Sequence, residues 1–184
     1  MVLVICEREE YLNPIVEKFS LKRINNYKNN IFYAGYMYDV KCVGLVCGLG
    51  MLNTAVAMCD ILKSCVDDDI SLVIDIGVCK GFSGGEPVGS VVVPEMYLCE
   101  PSVGCDFNPC GLELTGGNII SSSSELRDGE DLGCYIDRNS YIIKVFCNYF
   151  KKYMVSIKTV VDTEDAINVD MTLNILEKLF SKET

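Results

Sequence analysis

The sequence predicts an α/β fold, a single domain over residues 1–184 in which a mixed central sheet is flanked by helices in three layers. Leu72–Ile76 is apolar at both alternate positions and rich in β-branched residues, which is typical of a central parallel strand covered on both faces. Gly48-Leu49-Gly50 lies between an apolar run and a helical pattern, which indicates a strand, a turn and a helix. Strand and helix patterns also alternate along the whole chain.

The other elements follow from the spacing of apolar residues. Leu12, Ile15 and Phe19 recur at helical spacing, whereas the runs on either side of Tyr38-Asp39 are hairpin-like strands. The predicted strands are Val2–Ile5, Ile31–Tyr38, Lys41–Cys47, Ser90–Val93, Asn118–Ser121 and Tyr153–Val161, and the predicted helices are Glu9–Phe19, Asn53–Cys65, Tyr141–Tyr149 and Met171–Phe180. The stretch Glu100–Gly117, rich in glycine, proline and cysteine, is predicted to be an irregular loop.

A glycine-rich stretch follows the central strand. Glycines stand at positions 77, 81, 84, 85 and 89. Glycine opens the backbone for tight turns and for close approach of a ligand, so the chain is predicted to enter a turn at Gly77. The spacing fits neither G-x-G-x-x-G nor a phosphate-binding loop, and ordinary turn geometry is the alternative to a ligand cradle.

Composition limits the classes of partner. The 184 residues, 49% of them apolar, can bury one core. The formal net charge is -10 and the 16 Lys and Arg form no long basic run, which argues against nucleic acid and anionic membranes and favours a small molecule or a protein. No signal segment precedes Glu7 and no apolar stretch reaches the length of a membrane span, so we predict a cytoplasmic protein.

The cysteines are predicted to be reduced core thiols. The chain has 11 of them, an odd number, and most lie in or beside apolar segments. With no histidine and no C-x-x-C pair, the sequence argues against a zinc site, and no cofactor is predicted. The cysteines assigned to apolar segments are Cys42, Cys47, Cys65, Cys79, Cys99, Cys134 and Cys147, while Cys105 and Cys110 share the predicted loop.

Five short motifs occur in a fixed order along the chain. They are C-E-R-E-E at 6–10, C-G-L-G-M-L-N-T-A at 47–55, D-I-G-V-C-K-G-F…V-G-S-V-V-V-P-E at 75–95, I-D-R-N-S…F-C at 136–147 and K-T-V-V-D-T-E-D at 158–165. Together they resemble the nucleoside phosphorylase and nucleosidase family, and most closely its methylthioadenosine/S-adenosylhomocysteine nucleosidases. The resemblance spans nearly the whole chain. It implies a nucleoside phosphorylase-like fold and cleavage of the N-glycosidic bond between a purine and a ribose-like sugar.

The resemblance implies that Asp162 is the acid that protonates the departing purine. Asp162 would lie at the carboxyl end of the last predicted strand, where open α/β sheets place ligands. The residues alone also allow a structural interpretation, in which Asp162 caps the turn that follows, beside three solvated polar neighbours.

Glu10 matches the family's water-activating glutamate, and Glu9 takes that place if the register slips by one residue. A carboxylate can orient or deprotonate the water that attacks the anomeric carbon. The alternative is that Glu9 and Glu10 form an ordinary acidic first turn of a helix, where carboxylates favour the positive end of the dipole.

Arg138-Asn139 stand where the family grips the ribose with a Met-Glu pair. Asn139 can hydrogen-bond a hydroxyl, but it is neutral and cannot favour a developing cation as a carboxylate does. In the central turn, Val78 replaces a small hydroxyl residue and Lys80 replaces a glycine. The predicted substrate-binding residues are Gly48, Gly77, Val78, Arg138 and Asn139, with the Gly77–Gly81 turn as the floor of the site.

Two functions of different class are therefore predicted. The first is a purine nucleosidase-like hydrolase of a nucleoside such as methylthioadenosine or S-adenosylhomocysteine, using neither metal nor cofactor. The second is a catalytically degenerate nucleoside-binding protein. A phosphate-dependent phosphorylase is a further alternative, although a G-D-P-x-R type segment is missing and Arg8 and Arg138 are better explained as surface or ion-pair residues. A homodimer is expected from the resemblance and from the apolar, tyrosine-rich segment Ile31–Tyr38.

Overall fold

A mixed sheet with four helices forms the described part of the chain. The computed structural model describes residues 1–27, 30–64, 70–99, 103–106, 118–121, 134–162 and 166–181. The strands are β1 (Val2–Cys6), β2 (Lys22–Tyr27), β3 (Asn30–Met37), β4 (Val40–Val46), β5 (Leu72–Lys80), β6 (Val91–Val92), β7 (Met96–Cys99), β8 (Val103–Asp106), β9 (Asn118–Ser121), β10 (Tyr135–Asp137) and β11 (Tyr153–Val161). The helices are α1 (Glu9–Phe19), α2 (Met51–Ser64), α3 (Ser140–Tyr149) and α4 (Val169–Ser181).

Four parallel strands form the centre of the sheet, in the order β4-β1-β5-β11. Strands β2 and β3 extend it in antiparallel fashion beyond β4, and β10 pairs antiparallel with β5. The predicted mixed sheet with a central parallel strand at residues 72–76 is therefore confirmed. Because the four central strands run in one direction, their carboxyl ends share one edge of the sheet, which is where ligands bind in open α/β folds.

The helices cover the sheet on both faces, in the predicted three layers. Side chains of β1 alternate between two apolar cores, with Val2 and Val4 on one face and Leu3 and Ile5 on the other. The first core takes its helical residues from α1 and α4, and the second takes them from α2 and α3. This arrangement explains why the central strands read as continuous apolar runs.

Several elements differ from the sequence prediction. Strands β2, β7 and β10 were not predicted, because β2 is largely polar and the other two are short; pairing with neighbouring strands, rather than intrinsic preference, forms them. The irregular loop predicted over Glu100–Gly117 contains β8, which pairs antiparallel with β7, so that prediction is wrong there. The turn predicted at Gly77 is also wrong, because β5 continues to Lys80 alongside β11.

The described cysteines with assigned burial bear out the expectation of reduced thiols. Burial raises the pKa of the Cys42, Cys47 and Cys147 thiols to about 12, so they stay protonated and unreactive. The cysteines that are both free and buried are Cys6, Cys42, Cys47, Cys79, Cys134 and Cys147. Cys65 and Cys110, and the side chains of Cys99 and Cys105, lie outside the described residues. In the part of the chain that the structure describes, no helix is long and apolar enough to cross a membrane.

Candidate active site

The candidate site lies at the edge where the four parallel strands end. Cys6 pairs with Ile76, and Ile76 pairs with Ile157, so Glu7 follows β1 at the level of Lys158 on β11. Strands β5 and β11 then run on, and Asp162 comes four residues after Lys158. At about 3.3 Å per residue this separation is roughly 13 Å along the strand. The edge therefore has a lower level at Glu7 and an upper level at Asp162.

A buried charge cluster, defined here as Asp75, Asp137 and Lys158, occupies the lower level. Lys158 Nζ lies 2.9 Å from Asp75 and 3.0 Å from Asp137, and the three side chains are at most 2% exposed. Burial opposes the charge on Lys158, but the carboxylates of Asp75 and Asp137 outweigh it and raise the pKa of the ammonium above its ordinary value. Lys158 therefore remains charged at neutral pH.

Three serines complete the hydrogen bonding of the two carboxylates. Ser156 Oγ donates to Asp75 at 2.8 Å, and Ser121 Oγ donates to Asp137 at 2.5 Å. Ser140 Oγ lies against both carboxylates, and its backbone N–H, in the first turn of α3, donates to Asp137 at 3.1 Å. The cluster thus ties β5, β10, β11 and the start of α3 together, which fixes the residues just before α3.

Gly77 has a packing role beside this cluster. A Cβ built at Gly77 would lie 3.3 Å from Lys158 Nζ, a tight approach for the ammonium. The glycine therefore leaves room for the lysine head within the sheet. Its position next to the cluster, rather than a turn, explains why glycine stands there.

Glu7 is a desolvated carboxylate beside the cluster. Its Oε1 accepts the backbone N–H of Gly50 at 2.9 Å, and its Oε2 lies 3.9 Å from the Arg138 guanidinium. Burial raises the pKa of Glu7 above the ordinary glutamate value, although the Gly50 N–H, Lys158 and Arg138 pull it down. A largely buried carboxylate with a raised pKa, held at the sheet edge, has the properties of a general base.

Glu9 and Glu10, in the first turn of α1, have different surroundings. Glu10 is exposed in the first turn of α1, and Glu9 accepts a hydrogen bond from the Tyr33 hydroxyl and lies 3.6 Å from Arg23. Glu7 was not singled out from the sequence as a base. The signal that favours it is the glycine turn at residues 48–50, because Gly50 supplies the N–H that holds its carboxylate.

Asp162 lies at the upper level, is exposed, and lines an open cavity of about 460 Å³. Phe82 and Gly81 line the same cavity, and Asp162 also lines a second cavity of about 350 Å³. The residues that line the first cavity include Lys80, Gly81, Phe82, Glu86, Val160 and Asp162. An aromatic side chain, glycine backbone and a carboxylate could accommodate a planar heterocycle there.

The structure brings some of the predicted substrate-binding residues together and separates one. Asn139 and Arg138 flank the lower level, where Asn139 Oδ1 accepts a hydrogen bond from Lys158 at 3.2 Å. Gly48, at a φ of 80°, begins the turn that leads to Gly50. Val78 instead packs into the core beneath α1 and α4, on the sheet face opposite the α2 and α3 core. Within the described residues, no group of three or more Cys, Asp or Glu side chains is placed to hold a metal ion.

Comparison with known proteins shows a likeness of fold. No family model matches the sequence, and no curated protein matches it either. A futalosine hydrolase mutant of Helicobacter pylori strain 26695 is similar, with a TM-score of 0.80 at 11% identity over 100% of this chain and 99% of that chain. An MTA/SAH nucleosidase has a TM-score of 0.81 at 14% identity, covering 99% and 96% of the two chains.

A third solved structure is a complex. The 5′-methylthioadenosine/S-adenosylhomocysteine nucleosidase from Neisseria meningitidis, bound to methylthio-immucillin-A, has a TM-score of 0.76 at 18% identity, covering 98% of this chain and 93% of that chain. The fold implied by the sequence motifs, that of the nucleoside phosphorylases and nucleosidases, is therefore confirmed. The identities are low, so the likeness is one of fold.

Proposed function

We propose that this protein is a nucleosidase, which hydrolyses the N-glycosidic bond of a purine nucleoside such as methylthioadenosine or S-adenosylhomocysteine. The observation that carries the proposal is the pair of carboxyl groups on one sheet edge, with the desolvated Glu7 below and Asp162 beside an open cavity above. An acid for the departing base and a base for water are the two groups that this reaction needs. The fold neighbours named above, two of which are such nucleosidases, support the same reaction class.

In the proposed mechanism Asp162 gives its proton to the purine while the glycosidic C–N bond breaks and its electron pair goes to the base. The sugar then carries oxocarbenium-like positive charge. Glu7 removes a proton from the attacking water, whose oxygen forms the new bond to the anomeric carbon. Near the sugar, three carboxyl groups (Asp75, Asp137 and Glu7) face two cations (Lys158 and Arg138), an excess that favours positive charge in the transition state.

The contacts of Glu7 favour hydrolysis over phosphorolysis. A phosphate nucleophile needs backbone N–H groups and a cation to hold it. At the start of α2 the Gly50 N–H is already taken by Glu7, and Arg138 lies next to that same carboxylate. The protein's own anion therefore fills the place that a phosphate would need, and it would repel one.

A degenerate nucleoside-binding protein is the second candidate. Two observations favour it: the neutral Asn139 stands where the resemblance has a carboxylate, and Val78 is turned into the core. The two candidates differ in turnover and not in binding.

Release of free base from purine nucleosides distinguishes the two candidates. Methylthioadenosine, S-adenosylhomocysteine, inosine and adenosine are incubated with the protein, with and without phosphate, and the free base is measured. We expect release that does not depend on phosphate. Asp162→Asn is expected to lower the rate by about 10²- to 10⁴-fold while nucleoside binding is retained. Binding without release of base from any of the four would favour the degenerate protein.

A homodimer and a cytoplasmic location stay predictions. The segment Ile31–Tyr38, which suggested the dimer, is mostly within the sheet, with only Tyr36 among its large apolar residues strongly exposed, at 66%. Exposed apolar residues instead occur at Leu49, just before α2, and at Leu52 and Val56 on α2, and Leu52 is 79% exposed. Light scattering is expected to give twice the mass of the chain, and Leu52→Glu is expected to shift it toward the monomer. A monomeric mass for the unaltered protein would contradict the prediction.

A further inference from the structure

The side-chain amide of Asn139 is held in one orientation. Asn139 is 1% exposed and directly precedes α3. Its Oδ1 accepts a hydrogen bond from Lys158 Nζ at 3.2 Å. An ammonium can only donate, so the amide oxygen must face Lys158 and the NH₂ group must point elsewhere.

Lys158 is itself immobilised, so this orientation is permanent. Its three donors are used by Asp75, Asp137 and Asn139. A flip of the Asn139 amide would bring two donor groups together. Both the position and the polarity of the amide are therefore set by the buried charge cluster.

The Nδ2 atom of Asn139 is left without a partner. It is buried and has no hydrogen-bond partner among the described residues. A buried donor of this kind is uncommon in folded proteins and usually has a water or a ligand as its partner. Because Asn139 Oδ1 bonds to Lys158, which stands at the level of Glu7, the unpaired donor lies at the lower level of the candidate site.

We propose that Asn139 Nδ2 donates a hydrogen bond to a ring-hydroxyl oxygen of the substrate's sugar, so that this protein recognises that group as an acceptor. This inference rests on the proposed nucleosidase function. It reverses the polarity that the family resemblance implies, since a carboxylate at this position would accept a hydrogen bond from the sugar hydroxyl. The substrate class is then a riboside with an oxygen at that position, whether or not the oxygen carries a hydrogen.

Binding of sugar-modified nucleosides tests the polarity without requiring turnover. The dissociation constant is measured for the best-bound nucleoside of the panel and for its deoxy, deoxyfluoro and O-methyl analogues at C2′ and at C3′. At one of the two positions we expect the deoxy analogue to bind about tenfold more weakly or worse, because a buried donor loses its partner. The fluoro and O-methyl groups can accept a hydrogen bond but cannot donate one. At the same position, at least one of these two analogues is expected to bind more tightly than the deoxy analogue, recovering at least half of the change in the logarithm of the dissociation constant.

Asn139→Asp is the matched variant, because aspartate has the same size and can only accept. This variant is expected to bind the parent nucleoside, which carries the hydroxyl, but to bind the fluoro and O-methyl analogues no more tightly than the deoxy analogue. Asn13→Asp, at an exposed position of α1, is the control and should leave all of the ratios unchanged. The ligand series on the unaltered protein decides the matter even if Asn139→Asp does not fold.

Each outcome has a definite meaning. Fluoro and O-methyl analogues that both bind as weakly as the deoxy analogue at each position would show that the sugar hydroxyl must donate, which overturns the inference. Deoxy analogues that bind as well as the parent nucleoside would also overturn it. If the dissociation constants follow the expected pattern but no base is released, the hydrolase is refuted and the role of Asn139 in binding is supported. If base is released but the dissociation constants do not follow that pattern, the role of Asn139 is refuted and the hydrolase is supported.

Discussion

Glu7→Gln is expected to lower kcat by about 10²- to 10⁴-fold, because glutamine cannot take the proton of the attacking water. Glutamine has the same size as glutamate, and its side-chain oxygen can still accept the Gly50 N–H that holds Glu7. The variant should therefore fold and bind nucleoside normally. Steady-state kinetics and a binding measurement on the same preparation test both statements.

Glu10→Gln is the matched control for this prediction. Glu10 is exposed in the first turn of α1, so its replacement should change kcat by no more than roughly twofold. A large loss in Glu10→Gln together with normal turnover in Glu7→Gln would assign the base to Glu10, as the sequence motif indicated, and would contradict the assignment made from the structure.

The pH dependence gives a second test of Glu7. A general base must be deprotonated, so kcat/KM should rise with pH through the pKa of Glu7 in the free enzyme. Burial raises this pKa above the ordinary glutamate value. The decrease of kcat/KM on the acid side of the pH profile, its acid limb, should therefore occur at a higher pH than an exposed glutamate would give. Glu7→Gln should lack that limb. A limb at the ordinary position of an exposed glutamate would point to another group.

The elements that could be predicted are those whose pattern is set by local burial. Helix α1 and strand β11 have the predicted bounds, because apolar periodicity and β-branched runs report directly which face is covered. Strand β2 could not be predicted in this way. Its polar sequence becomes a strand because β3, the next strand in the chain, pairs with it in antiparallel fashion, and its own residues show no apolar alternation that would record this pairing.

The proposed site depends more than the fold does on contacts between distant parts of the chain. Asp162 depends on its place at a strand end, which the sequence shows, whereas Glu7 depends on a contact with Gly50 across 43 residues of chain. The buried charge cluster is partly visible in the sequence, since Asp75 and Lys158 are charged residues in the interior of two largely apolar strands. Charges in such places are seldom buried unless they are paired, and pairing them with each other would have placed β5 beside β11.

Lys158→Met should produce a large loss of stability. It removes the ammonium that lies within 3.0 Å of both Asp75 and Asp137, and leaves two buried carboxyl groups without that counter-charge. Breaking a buried ion pair from one side costs about 3–5 kcal/mol, because the remaining charge stays buried. Urea unfolding followed by circular dichroism should show this decrease in the free energy of unfolding. Lys63→Met, at an exposed position of α2, is the control and should change it by less than about 0.5 kcal/mol.

The loss in Lys158→Met should also depend on pH, with a sign that identifies its cause. Without the lysine, the folded variant holds two buried carboxyl groups next to each other, and a bound proton relieves both the buried charge and the repulsion. The folded variant therefore binds protons more readily than the unfolded chain, and its stability falls as the pH rises. The difference in the free energy of unfolding between Lys158→Met and the unaltered protein, called here the deficit, should be smaller at pH 5 than at pH 8. Adding Asp137→Asn to Lys158→Met should reduce this deficit at pH 8. A deficit equal at both pH values would indicate lost packing of the lysine stem and not unpaired charge.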